Sequence, residues 1–266
     1  MKICVISFDF WNYDAHIVEE LRRKGIDANH INIGAYQHKN FPARVQNTIS
    51  KIVLNRNLKN EQRQQMILQQ LGKLGKQDKI LVINPELIDR EYHEEIKKYA
   101  GKYIAYLYDS LARCPAEHLF DLFDEIFSFD KNDADKHHFQ LITNYNYLPE
   151  KQLNKNPQFD LVYLASYDNR IEILSKIAKK LQKLDLSYYA KIVGKKAWKE
   201  HLSLDNNRRV FFSRRKLAHA DVPKFYENGK VLLDLIRDHQ TGLSFRIFEA
   251  MALKKKIITD NESVKD

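Results

Sequence analysis

Short apolar runs alternate with longer amphipathic stretches along the first 150 residues. Polar or turn residues bound the apolar runs, which is typical of buried strands, whereas the stretches between them have helical spacing. The predicted strands are 3–8, 29–33, 79–83, 103–108 and 126–129; the predicted helices are 15–24, 89–99 and 131–139, with one or two solvated helices within 41–74. Strands that alternate with helices favour a parallel sheet covered on both faces.

The same alternation restarts after a polar segment, 147–158, which contains Pro149 and Pro157 and few apolar residues. Such a segment is typical of a linker. Strands are predicted at 161–164, 189–193, 231–236 and 256–259, and helices at 171–184 and 244–253. The fold class is therefore predicted as α/β, with two Rossmann-like domains at residues 1–150 and 159–266.

One strand–loop–helix stretch, residues 231–261, has a pattern suited to anion binding. A buried strand leads through a polar loop to Gly242 and then to a helix start, where backbone N–H groups and a positive dipole end meet. Arg246 and Glu249 lie three residues apart on this helix, so both are expected beside the mouth of the loop. A cation for phosphate and a carboxylate for sugar hydroxyls would together hold a nucleotide.

The sequence GLSFRIFEAMALKKKIITDN, residues 242–261, resembles the donor-binding segment of two-domain (GT-B) glycosyltransferases. It is most similar to the bacterial group that assembles capsule, lipopolysaccharide and spore-coat glycans. The resemblance implies two parallel sheets that face each other across a crevice, an acceptor side in the first domain and a nucleotide-sugar side in the second. Transferases of this type usually continue further, so the second domain is expected to be incomplete at its C-terminus.

The resemblance also implies a UDP-, GDP- or dTDP-sugar as donor substrate and no permanently bound cofactor. Many retaining members carry two glutamates eight positions apart; Glu249 matches the second, but Thr241 stands at the first position. Retaining and inverting chemistry both stay open. The donor-binding residues predicted from the resemblance and the loop pattern are Ser166, Tyr167, Arg170, Lys195, Gln240, Thr241, Gly242, Leu243, Ser244, Arg246 and Glu249.

Two of these donor candidates have alternatives outside a binding site. Arg170 would meet a diphosphate bidentately, but an arginine near the start of an exposed helix is also commonly solvated. Lys195 follows Gly194 at a position where the family places a lysine against the phosphate or base, or it belongs to a plain basic surface.

The loop after the first strand is the predicted catalytic region on the acceptor side. Asp14 and His16 are the candidates for the base that deprotonates the acceptor hydroxyl, with Asp9 next, because a strand's carboxyl end suits such a group. Asp14 is alternatively the cap of the following helix. Further acceptor contacts are predicted at Trp11 and Tyr13, by stacking, and at Asp109 and Ser110, which lie in a segment that resembles the family's Y-x-x-D-S pattern.

Other chemistries lack their sequence signatures. The D-x-D of Asp133 and Asp135 falls inside a predicted helix, and neither zinc-ligand spacing nor a G-x-G-x-x-G fingerprint is present. A metal-independent reaction is therefore expected. Cys4 and Cys114 offer no disulfide framework. No apolar run approaches the roughly 20 residues that span a bilayer, so any membrane contact is expected to be peripheral.

The net charge of +9 calls for an anionic partner, and a hydrophobic content of 44% supports real cores. Basic clusters at 208–209, 214–216 and 254–256 face either anionic lipid or solvent. The leading hypothesis is a cytoplasmic hexosyltransferase, peripheral on the inner membrane face, that acts on a surface-polysaccharide or lipopolysaccharide acceptor and not on nucleic acid. The alternatives are a nucleotide-sugar epimerase, a polyol-phosphate transferase, an inactive fragment or a non-enzymatic nucleic-acid-binding protein.

Overall fold

The computed structural model describes residues 1–9, 12–35, 58–148, 156–194, 209–215 and 217–265. The chain divides into two compact units, Met1–Ile142 and Thr143–Asp266. Each unit contains one parallel sheet with helices between its strands, which confirms the predicted pair of Rossmann-like α/β units. The boundary between the units lies just before the proline-containing segment.

The first unit is a six-stranded parallel sheet with the order β2-β1-β3-β4-β5-β6. Its elements are β1 Lys2–Ser7, α1 Asp14–Arg23, β2 Asp27–Asn32, α2 Leu58–Leu74, β3 Gln77–Ile83, α3 Arg90–Lys97, β4 Ala100–Leu107, β5 Glu125–Ser128, α4 Lys131–His137 and β6 Gln140–Leu141. The two-residue strand β6 was not predicted, because so short a segment has no periodicity to read.

Helix α2 corrects the prediction of solvated helices at 41–74. Ile67 and Leu71 are fully buried in the core of the first sheet, and Leu68 and Leu74 pack against that core. These sparse apolar residues recur at helical spacing, so one stripe of an otherwise polar helix suffices to hold it on the sheet. Residues 41–57 lie outside the described residues.

The second unit is a five-stranded parallel sheet with the order β11-β10-β7-β8-β9. Its elements are β7 Phe159–Ser166, α5 Ile171–Lys183, β8 Tyr188–Val193, β9 Val210–Ser213, α6 Val222–Glu227, β10 Gly229–Asp234, α7 Phe245–Ala252 and β11 Lys256–Thr259. The sequence did not predict β9 or α6, which are only four and six residues long.

Each sheet has a topological switch point, where the strand order reverses. In the first unit it lies between β1 and β3, and in the second between β7 and β10. Loops that leave two such strands diverge to opposite faces, and this opens a crevice at the carboxyl ends where α/β proteins bind ligands. The carboxyl ends of these four strands are therefore the places where side-chain chemistry matters most.

Gly229, the first residue of β10, offers a test of how tightly the second sheet is packed. A Cβ at Gly229 would lie 2.4 and 2.8 Å from the two methyl carbons of the fully buried Val162. Gly229→Ala is expected to lower the free energy of unfolding by about 1–3 kcal/mol. Gly72→Ala is the matched control within α2, since its nearest neighbour would be 3.9 Å away, and it should be neutral or stabilising by up to about 1 kcal/mol. Urea denaturation of both variants gives the comparison; equal effects would contradict it.

Candidate functional site

The side chain of Asp234, at the carboxyl end of β10, is the centre of a buried polar cluster in the second unit. Asp234 is 1% exposed. Its Oδ1 accepts hydrogen bonds from Ser244 Oγ, at 2.8 Å, and from the guanidinium of Arg246, and its Oδ2 accepts one from Thr259 Oγ1 at 3.0 Å. One carboxylate thus fastens the start of α7 and the end of β11 to the switch point.

The guanidinium of Arg246 points inward, onto the sheet. It pairs with Asp234 and lies over the ring of Tyr163, 5.5 Å from the centroid. Burial is the largest single influence and lowers the pKa of Arg246, but the charge of Asp234, together with smaller contributions from Tyr226, Tyr163 and Glu249, raises it by more. The net shift is upward, so the side chain stays cationic. The positive charge predicted for the donor diphosphate is therefore balanced by a buried carboxylate, and phosphate binding by Arg246 stays a prediction.

Glu249, one turn further along α7, is 2% exposed. Its Oε1 accepts a hydrogen bond from the hydroxyl of Tyr147, and the hydroxyl of Tyr226 also lies against it. This carboxylate belongs to the packing between α7 and its neighbours, and its predicted contact with sugar hydroxyls stays a prediction.

The loop before α7 is held at two consecutive carbonyl groups. The side-chain amide of Asn261 donates to Gly242 O at 3.0 Å, and that of Asn144 donates to Leu243 O at 3.0 Å. Ser244 is the N-cap residue of α7, yet its hydroxyl bonds Asp234 rather than capping the helix. The half-buried Gln240 and Thr241 immediately precede this loop.

Arg170 joins the loops that leave β7 and β10. Its Nε and Nη2 donate to the two carboxylate oxygens of Asp168 at 2.7 and 2.6 Å, and its Nη1 donates to Leu235 O at 2.8 Å. Arg170 is buried, so the interpretation as a solvated surface arginine is wrong. A phosphate contact by Arg170 would require its bidentate bond to Asp168 to open, and it stays a prediction.

Sequence reasoning missed both Asp168 and Arg237. Arg237 lies just beyond β10, with its side chain 28% exposed and its Nε 3.4 Å from Asp168 Oδ2. It is the most exposed of the three arginines at this switch point. No motif marked Arg237, because its relation to Asp168 depends on a contact between two loops that are far apart in sequence.

Ser166 and Tyr167 lie where β7 ends. The N–H of Tyr167 donates to Val193 O at 2.9 Å, which extends the pairing of β7 with β8. A Cβ at Gly194 would be 2.6 Å from Tyr167 Cβ, so the glycine lets the two loops approach closely. Lys195, predicted to follow it as a phosphate or base contact, lies outside the described residues.

In the first unit, two carboxyl groups with different environments follow β1. Asp9 accepts the backbone N–H of Asp14 through Oδ1 and that of Ala15 through Oδ2, each at 3.1 Å. Asp9 therefore satisfies the start of α1, and the interpretation of Asp14 as the cap is wrong. Asp14 is instead the first residue of α1.

The carboxyl group of Asp14 is fully buried, and neither of its oxygens has a hydrogen-bond partner among the residues that the structure describes. Burial is the main cause that raises its pKa to about 7, and the charge of Asp9 raises it further. The Ser7 hydroxyl lies close enough to lower the pKa slightly without reaching hydrogen-bond geometry. The pKa values of Tyr106 and Tyr108 are raised mainly by burial and secondly by the charge of Asp14. Both phenols therefore lie near the Asp14 carboxyl group.

The other predicted residues of the acceptor side are not all near Asp14. His16 is two positions further along α1, so it faces a different side of the helix, where Nδ1 lies 3.5 Å from Glu19. Tyr13 is half-buried and directly precedes α1, whereas Trp11 lies outside the described residues. His16 and Asp14 therefore do not form one catalytic pair.

Asp109 and Ser110 follow β4 and form a closed turn. Asp109 pairs with Arg113 at 2.8 Å and accepts the N–H of Ser110 at 3.2 Å. Asp133, half of the D-x-D, accepts the N–H of Leu111 at 2.7 Å and so fastens this turn to α4. Asp133 thus has a local structural role rather than lying on a purely solvated helix face.

Within the described ranges, no group of three or more histidine, cysteine, aspartate or glutamate side chains is placed to hold a metal ion. In the same part of the chain, no helix combines the length and apolar character needed to cross a membrane.

The basic cluster at 254–256 is only partly a surface feature, because Lys255 Nζ donates to Glu227 O at 2.9 Å and to Gly229 O at 2.8 Å.

Comparison with known proteins gives a family match for the second unit and none among curated sequences. Residues 170–265, which include Asp234 and its partners Ser244, Arg246 and Thr259, match a family described as "Glycosyl transferase-like". A search of curated protein sequences gives no significant match.

Solved structures with the same fold cover nearly all of the chain. The apo form of the lipopolysaccharide outer core galactosyltransferase WaaB matches with a TM-score of 0.56 and 13% identity, over 97% of this chain and 80% of that one. An α-glucosyltransferase in complex with UDP and a 13-mer DNA matches with a TM-score of 0.62 and 10% identity, over 97% and 79%. The UDP-GlcNAc 2-epimerase of Methanocaldococcus jannaschii, with UDP-GlcNAc and UDP, matches with a TM-score of 0.56 and 14% identity, over 100% and 87%.

At such low identities these structures establish the fold, which is GT-B. The resemblance seen in the sequence is confirmed at this level, and the family match supports a role in glycosyl transfer.

The Asp234–Arg246 pair can be tested by removing one partner and then both. Asp234→Leu is expected to destabilise the second unit by about 3–5 kcal/mol, because the Arg246 charge loses its buried counterion. The double variant Asp234→Leu/Arg246→Met should recover most of that loss, since no buried charge then remains. Urea denaturation of the three proteins measures the difference; a loss below about 1 kcal/mol in the single variant would show that the pair does not hold α7.

The buried carboxyl group of Asp14 predicts an unusual dependence of stability on pH. Its pKa is about 7 in the folded chain against an ordinary 3.8, so the folded state binds the proton more tightly and its stability falls as the pH rises between these values. Asp14→Asn should therefore stabilise the protein at pH 8, by on the order of 2–4 kcal/mol. The gain should shrink as the pH falls towards 4.

Thermal denaturation at several pH values checks this expectation. Asp27→Asn, which changes an exposed carboxylate in the same unit, is the control and should move the midpoint little at either end of the range. An Asp14→Asn variant that is no more stable than wild type at pH 8 would rule out a strained, buried carboxylate.

Proposed function

We propose that this chain is a glycosyltransferase that moves a hexosyl group from a UDP-, GDP- or dTDP-sugar to a saccharide acceptor. The observation that carries the proposal is the coincidence of the glycosyl transferase-like match, residues 170–265, with a loop–helix unit at the switch point of the second sheet. Two of the structural neighbours are described in complex with UDP, which supports a nucleotide-sugar donor.

The donor diphosphate is proposed to lie at the loop 242–244, where the positive end of α7 favours an anion. Arg237 is proposed as an additional cation there, because it is more exposed than Arg170 and Arg246 and lies at the same strand ends. Ser166, Tyr167 and Lys195, which lies outside the described residues, complete the proposed donor side. Glu249 supports α7 through its hydrogen bond from Tyr147.

Asp14 is proposed as the general base. A base works best when its pKa lies near the operating pH, and a carboxyl group with a pKa of about 7 meets that condition. The acceptor hydroxyl would transfer its proton to Asp14 as its oxygen forms a bond to the anomeric carbon, and the bond to the nucleoside diphosphate would break. This direct displacement inverts the anomeric configuration. The acceptor is proposed to contact Trp11, Tyr13, Asp109 and Ser110.

The acceptor class proposed is a bacterial surface polysaccharide or lipopolysaccharide saccharide. The resemblance of residues 242–261 supports it, as does the fold shared with a lipopolysaccharide galactosyltransferase. The net charge of +9 is consistent with a cytoplasmic protein that binds the inner membrane face peripherally. Co-sedimentation with anionic but not neutral vesicles tests this location.

A nucleotide-sugar epimerase is the second candidate, because the UDP-GlcNAc 2-epimerase structure covers the whole of this chain. An epimerase changes the nucleotide-sugar without any acceptor, whereas a transferase releases the nucleoside diphosphate together with a glycosylated acceptor. The two activities are therefore separable in one assay.

The direct test incubates the purified chain with UDP-, GDP- and dTDP-hexoses and saccharide acceptors, with duplex DNA as a further acceptor. Acceptor-dependent release of one nucleoside diphosphate is expected, and the rate should be unchanged by EDTA if the reaction is metal-independent. Asp14→Asn should lower kcat by about 10²–10⁴-fold, the usual contribution of a general base. Asp27→Asn is the control.

Each of the other outcomes would overturn a stated part of the proposal. Conversion of the sugar nucleotide without acceptor, detected by NMR, would replace the transferase by the epimerase. Transfer to DNA alone would overturn the saccharide acceptor. A wild-type rate in Asp14→Asn would remove Asp14 as the base, and the absence of any reaction or binding with every donor would overturn the proposed function.

A further inference from the structure

We propose that Asn144 and Asn261 are positioning residues that orient two successive peptide groups of the loop 242–244, so that their N–H groups face a diphosphate. The inference rests on the proposed function, since it concerns how the same donor site is built. Neither residue belongs to the set predicted from the sequence to bind the donor.

Both amides act on carbonyl groups from buried positions. Asn144 is 3% exposed and Asn261 is 5% exposed, and each donates through Nδ2 to one carbonyl of the loop at 3.0 Å. The carbonyl groups of Gly242 and Leu243 are therefore directed towards the interior of the unit. Each carbonyl has a strong partner there, which a buried peptide group requires.

The direction of the carbonyl groups determines the direction of the N–H groups. In a trans peptide the C=O of one residue and the N–H of the next are antiparallel within one plane, and the described residues contain no cis peptide bond. The N–H of Leu243 consequently points away from Asn261, and that of Ser244 points away from Asn144. Both N–H groups are directed away from the buried amides, at the start of α7.

Independent contacts hold the Asn261 amide and the segment that contains Asn144 in place. Asn261 Oδ1 accepts the N–H of Ser263 and its own N–H donates to Thr259 Oγ1, each at 3.0 Å, so its side chain is fixed at both ends. Asn144 is followed by Tyr145, whose ring packs edge-on against Phe245 at 5.2 Å, and nearby Tyr147 bonds Glu249. Both asparagines therefore lie in segments that are anchored by contacts other than their bonds to the loop.

The consequence for binding is electrostatic. If either peptide group rotated, a carbonyl oxygen would replace an N–H on the side where the diphosphate is proposed, and an attractive dipole would become a repulsive one. The two asparagines prevent that rotation because it would break a buried hydrogen bond. They would thus contribute to phosphate affinity without touching the nucleotide.

The test compares nucleoside diphosphate and nucleoside binding in Asn144→Leu and Asn261→Leu, which keep the approximate volume and remove the donor. Isothermal titration of wild type with UDP, GDP and dTDP first identifies the bound base. The affinity of each variant for that diphosphate should then fall about 10–100-fold, because one backbone N–H of the loop would no longer donate to the charged diphosphate. The affinity for the matching nucleoside should change less than about twofold.

Asn228→Leu is the matched control, since Asn228 precedes β10 and lies at the opposite end of the strand from the loop. It should leave both affinities unchanged. If a leucine variant fails to fold, Asn→Ser at the same position replaces it, because serine is too short to reach the carbonyl.

A folded variant that keeps the wild-type diphosphate affinity would overturn the inference and leave the proposed function intact. Equal losses for diphosphate and nucleoside would also overturn it, because they would indicate a general distortion of the site. If the wild-type chain binds none of the three diphosphates, the proposed function fails and this inference fails with it.

Discussion

The buried carboxylate of Asp234 is the interaction on which the rest of the second unit's candidate site depends. A charge at this depth is stable only when it is paired and fully hydrogen-bonded, and Asp234 has Arg246, Ser244 and Thr259 around it. Ser244 and Arg246 lie at the start of α7 and Thr259 at the end of β11, so the carboxylate of Asp234 fixes both segments relative to the end of β10. A helix N-terminus binds an anion well only when it cannot shift, and this cluster supplies that rigidity.

The first unit shows the opposite use of a buried carboxyl group. Asp9 accepts two backbone N–H groups at the start of α1, whereas the neighbouring Asp14 has no partner for either oxygen in the described part of the chain. Environments that separate two nearby carboxyl groups in this way are typical of acid–base sites. The cost of burying Asp14 is what its proposed role as a base predicts, because catalytic groups commonly reduce stability.

Several residues predicted as ligand contacts are linked instead to other parts of the protein. Arg170 bonds Asp168 and Leu235 O, and Glu249 accepts from Tyr147, a residue 102 positions away. These contacts show that Arg170 and Glu249 hold neighbouring segments together within the second unit.

The sequence by itself determined the two α/β units, most of their strands and helices, and the loop–helix unit that contains Gly242. These follow from local periodicity and turn chemistry, which depend only on residues that are close together in the sequence. It missed the short elements β6, β9 and α6, and its alternative interpretation of Asp14 as a helix cap was wrong. Only the tertiary structure decided that Arg246 has a buried counterion, that the Asp14 oxygens have no hydrogen-bond partner among the described residues, and that Asn144 and Asn261 bond the loop carbonyl groups. Burial and charge pairing depend on residues brought together from distant positions, and no local pattern contains that information.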